Sequence, residues 1–108
     1  MIREARAQRR ALAQRIESDI VKLKADLASA EAGVISARKA VKLARTTAGD
    51  MDASFSVGAA TQLDVLDASH RRLEAEIQLT RSLYQRDLAR LALAHAMGVF
   101  DPARESGR

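Results

Sequence analysis

A chain of 108 residues with no cysteine, no tryptophan, one proline at Pro102 and a net charge of +4 has no material for disulfides, thiolate chemistry or an aromatic core. Nothing in it interrupts a helix between the N-terminus and the segment around Gly58, or between that segment and Gly98. The composition predicts one all-α domain with a thin interior, and a thin interior predicts partners.

Residues 1–11 carry Arg3, Arg6, Arg9 and Arg10 without a regular apolar stripe, and are expected to be a basic N-terminal arm or a frayed helical extension. No aromatic residue interleaves there to stack on bases, so nucleic acid is not expected as a partner. From Ile16 the pattern becomes strict. Apolar or small residues recur in alternating steps of three and four: Ile16, Ile20, Leu23, Leu27, Ala30 and Val34, then Ala37, Val41, Ala44, Ala48, Met51 and Phe55. This is a heptad seam, and it predicts a helix from about 12 to 56, roughly 65 Å at ~1.5 Å per residue. A second stripe, Val21, Ala25, Ala28, Ala32 and Ile35, runs beside the first and implies a neighbour on each side of the helix. Gly33 and Gly49 inside the helix leave two readings open, close approach of a neighbour or a tolerated surface glycine.

Gly58 is flanked by the short residues Ser56, Ala59 and Ala60, as a chain reversal needs, which predicts a turn at 57–60. Thr61 followed by Asp64 reads as an N-cap with an acidic first turn, so a second helix is expected over about 61–97. Its answering seam is expected at Leu63, Leu66, His70, Leu73, Ile77 and Thr80, continuing through Tyr84, Leu88, Leu91 and His95. Folding about Gly58 then sets Ala44 against Leu73 and Val41 against Ile77. Here too a second stripe appears, at Val65, Ala68, Ala75, Leu79, Leu83, Leu93 and Met97. Gly98 reads as a C-cap signal, and 99–108 as a disordered tail. The predicted fold is a long antiparallel two-helix coiled-coil hairpin spanning 12–98 that assembles into a helical bundle.

Chemistry is sparse. His70 and His95 stand about seven turns apart and cannot share a metal. His70 is expected to bond a neighbouring carboxylate, Asp67 or Glu74. No phosphate-binding loop and no paired nucleophile and base are present, so the chain reads as a non-enzyme without cofactor or metal. Residues 46–70 contain no Lys or Arg but do contain Asp50, Asp52, Asp64 and Asp67, which makes the hairpin end acidic. Asp64 and Asp67 project from one side of the second helix's first turn. Copied around an axis they would form a ring of carboxylates.

The run Phe55-Ser56-Val57-Gly58, the run from Thr61 through Leu63-Asp64-Val65-Leu66-Asp67-Ala68, and the closing Ala96-Met97-Gly98 resemble the C-terminal hairpin of the TolC-like outer membrane efflux proteins. The resemblance is carried by residues 55–98. It implies that the chain is about the last quarter of an outer-membrane duct for efflux or type I secretion, a trimer whose hairpins build a periplasmic tunnel. Val57, Gly58 and Ala59 would then contact a periplasmic adaptor, with an inner-membrane pump engaged indirectly. Asp64 and Asp67 would line the tunnel entrance. Ala60 stands where some members carry a basic or polar latch residue, and cannot act as one. The parent would sit in the outer membrane. The chain as written begins directly in a charged helix, with no signal peptide, and is expected to remain cytoplasmic.

The alternative needs no parent: a free-standing coiled-coil interaction protein that self-associates into a four-helix bundle. The adaptor's own hairpin fits less well, because Arg45 is followed four residues later by Gly49 where that tip carries Leu.

Overall fold

The computed structural model describes residues 2–100, the side chains of 99 and 100 excepted. Two helices account for nearly all of them: α1, Ile2–Ser56, and α2, Gln62–Phe100. The fold is all-α, and α2 runs antiparallel to α1. Residues 2–11 belong to α1, so the basic stretch is helix. Gly98 lies inside α2 instead of capping it, and 101–108 lie outside the described residues.

The chain divides into two compact units. One comprises Ala30–Arg86 and includes the turn. Among the described residues, all the buried side chains belong to it: Val34, Ala37, Val41 and Ala48 from α1, Ala68 and Ser82 from α2. None is larger than valine. Small residues let two backbones approach, but each contributes little apolar area. An ion pair crosses between the helices here, Arg45 Nε to Glu76 Oε1 at 3.2 Å. The described part of the other unit comprises residues 2–29 and 87–100. Its described interior is half-buried only, with Ile16, Ile20, Leu23 and Leu27 on α1 and Ala89, Leu93 and Ala96 on α2.

The α1 seam faces inward as its spacing predicts, from Ile16 to Met51; Phe55, beside the turn, is exposed. On α2 the two stripes exchange places. Val65, Ala68, Ala75, Leu79 and Leu83 face inward, while Leu63, Leu66, Leu73, Ile77 and Tyr84 are exposed. The expected pairing of Ala44 with Leu73 is therefore not made. Arg45 stands against Glu76, which advances the register by roughly one turn. The cause is size. The α1 seam is dense in alanine where it meets α2, and the approach this permits buries the small Ala68 and Ser82, while Leu79 and Leu83 on the same stripe are only half-buried.

Gly33 and Gly49 resolve on the bland side of their two readings. A Cβ built at either meets no atom within 4 Å, so neither serves a close approach in this chain.

Candidate functional site

Two features qualify as sites: the hairpin tip, and the apolar face that α2 turns outward. The tip is built by backbone hydrogen bonds. The Gly58 N–H donates to the Phe55 carbonyl at 3.1 Å and the Ala59 N–H to the Ser54 carbonyl at 2.8 Å, which together close the end of α1 as a Schellman motif. Gly58 has φ +77°, the left-handed conformation that motif requires. Nothing lies within 4 Å of a Cβ built there, so the demand for glycine is conformational and not spatial. Val57 is 80% exposed, and Gly58 and Ala59 are exposed beside it.

Across the turn, α2 opens with a reciprocal capping box. The Asp64 N–H donates to Thr61 Oγ1 at 3.1 Å, and the Thr61 N–H donates to Asp64 Oδ2 at 2.9 Å. The backbone hydrogen bond from Thr61, with the side-chain bond behind it, holds the Asp64 carboxyl below the usual aspartate range. Asp67 is also engaged, its Oδ2 lying 3.3 Å from Arg71 Nε one turn on. The two carboxylates named from sequence thus sit on the first turns of α2, each with a local partner. For Asp64 the sequence signal was the Thr61–Asp64 spacing. The i,i+4 spacing of Asp67 and Arg71 carried a second signal. His70 takes the carboxylate of Glu74, Nε2 to Oε1 at 2.9 Å, and not that of Asp67.

The outward face of α2 has the opposite chemistry. In the turn-containing unit Leu63 is 75% exposed, Tyr84 65% and Ile77 45%, with Leu66 and Leu73 between those limits. On a helical wheel at about 100° per residue, this stripe lies ~150° from the inward one. The helix has two apolar faces. On α1 the outward positions hold Ile35 and Leu43 in the same unit, and Leu12 and Val21 in the other, with lysines among them at Lys39 and Lys42.

Among the described residues no cluster of His, Asp or Glu is arranged to hold a metal ion. No described helix is long and apolar enough to cross a membrane. Comparison with known proteins returns no match, whether to a protein-family model, a curated protein or a solved structure.

Proposed function

We propose that the chain is a self-associating helical-hairpin interaction module, a coiled-coil protein that works by binding further copies of itself into a helical bundle. One observation carries this reading. Leucine, isoleucine and tyrosine recur at heptad spacing on a face of α2 that the hairpin leaves in water. Apolar side chains so placed are only partly covered by the fold of one chain, and burial of the remainder against a like surface is the available source of further stabilisation. Sedimentation velocity over the micromolar range tests the reading directly. The expected result is a concentration-dependent species heavier than one chain, and a well-folded monomer throughout would refute it.

A second reading is supported by the presence of opposite apolar faces on one helix, the pattern a helix needs inside a continuous wall. On it, the hairpin belongs to a TolC-like export duct, with Val57, Gly58 and Ala59 meeting a periplasmic adaptor and Asp64 and Asp67 lining the entrance. An antibody against residues 55–98 separates the two readings by the size and compartment of the native polypeptide. A band several times longer in the outer membrane supports the duct. A soluble band of this chain's own size removes it and keeps the interaction module.

A further inference from the structure

We infer that the outward face of α2 is a self-complementary seam, pairing antiparallel with the same face of a second copy about a two-fold axis between Gln78 and Leu79. The inference rests on the proposed self-association and adds the partner, the face and the register.

The seam positions Leu66, His70, Leu73, Ile77, Thr80 and Tyr84 follow alternating steps of four and three, and all are exposed. From Leu73 to Tyr84 none of these positions is charged. Antiparallel coiled coils set one class of seam position against the other. About the proposed axis, Leu73 meets the second copy's Tyr84 and Ile77 meets its Thr80, each contact occurring twice. A large residue faces a large one at the ends, and a smaller one completes the centre. The Thr80 hydroxyl already donates to the Glu76 carbonyl at 3.1 Å, so its polar group is satisfied and its methyl group is left for the partner.

Charge fixes the direction. In the same register the flanking Glu74 stands beside the second copy's Arg81, and Arg81 beside its Glu74. Among the described residues Arg81 has no ion pair, while Glu74 meets the exposed His70. Parallel pairing is worse on two counts. It stacks His70, Thr80 and Tyr84 each upon its own copy, and it directs Arg81 to Glu76, which Arg45 already holds at 3.2 Å. The outward face of α1 is a poorer occupant, since alanines and the lysines at 39 and 42 dominate it. An isologous contact of this kind closes on itself, so the product is a dimer of hairpins with four helices.

Two measurements on the full chain test the seam. In sedimentation equilibrium E74R and R81E should each raise the dimer dissociation constant roughly tenfold or more, since each turns two attractive pairs repulsive. The combined E74R/R81E variant should return close to the wild-type constant, with helicity by circular dichroism unchanged in all three. Because the natural sequence has no cysteine, I77C and T80C give a clean second readout. Mixed under oxidation they should form a disulfide-linked heterodimer, and each alone should cross-link far more slowly. Self-association without charge-exchange rescue, or with I77C linking to itself as fast as to T80C, overturns the seam and leaves the interaction module standing. A wild-type chain that stays monomeric overturns both.

Discussion

Gly58 carries a requirement that no other described residue shares, a φ of +77°. Because a Cβ there meets nothing, replacing it with alanine isolates the backbone term, and G58A should destabilise the hairpin by ~1–2 kcal/mol in urea unfolding. Gly33 and Gly49 give the opposite sign. Both lie in α1 with open space around them, so G33A and G49A should each add up to ~1 kcal/mol, read in the same titration. Thr61 and Asp64 share the start of α2. Removing the hydroxyl in T61A should cost about 1 kcal/mol. The Asp64 carboxyl is held below its unfolded value, so its contribution is complete above the ordinary aspartate range, near pH ~4, and is lost as pH falls through the lowered folded value. Thermal melts from neutral to acid pH should show that loss, and D64N should flatten this part of the profile. The Arg45–Glu76 pair, with Arg45 well exposed and Glu76 half-buried, should contribute no more than ~1 kcal/mol to stability while marking the register.

At the scale of the helix, the two ends of the turn were legible because each is set by a few neighbouring residues. A helix that stops near Ser56 and another that starts after Thr61 follow from a glycine and a capping pair. The α1 seam was legible for a different reason: its main stripe keeps one spacing from Ile16 to Phe55, while the second spans only Val21 to Ile35 and is mostly alanine, so length ranks the two. The phase of α2 was not. It carries two stripes at the same spacing, and ranking them by side-chain size puts the leucines inside. Which stripe faces α1 depends on how closely the helices approach, a property of both chains of atoms together. The outward position of the leucines, and hence the candidate interaction face, follows from the same contest. Substitutions separate the two faces. A68L should overpack the buried face of the hairpin and destabilise it by ~1–3 kcal/mol. L66A, on the outer face, should change monomer stability by less than ~0.5 kcal/mol while weakening self-association, as read by sedimentation.

For the molecule as a whole, the absence of any buried side chain larger than valine among the described residues means that the single hairpin has little apolar burial to set against the entropy of ordering. Assembly should then supply a visible share of the stability, and the melting temperature should rise with chain concentration. A midpoint that does not move across a hundred-fold dilution series would place all of the stability within one chain. The sole tyrosine, Tyr84, stands on the outer face in a chain that has no tryptophan. Its ring stays mostly in water in the single hairpin, and the proposed seam would take it out of water. On the proposed seam, the protein would carry an intrinsic fluorophore nearly silent to the folding of one hairpin and responsive to association, so that phenol emission and peptide-bond dichroism, followed in one cuvette, should time the two events separately.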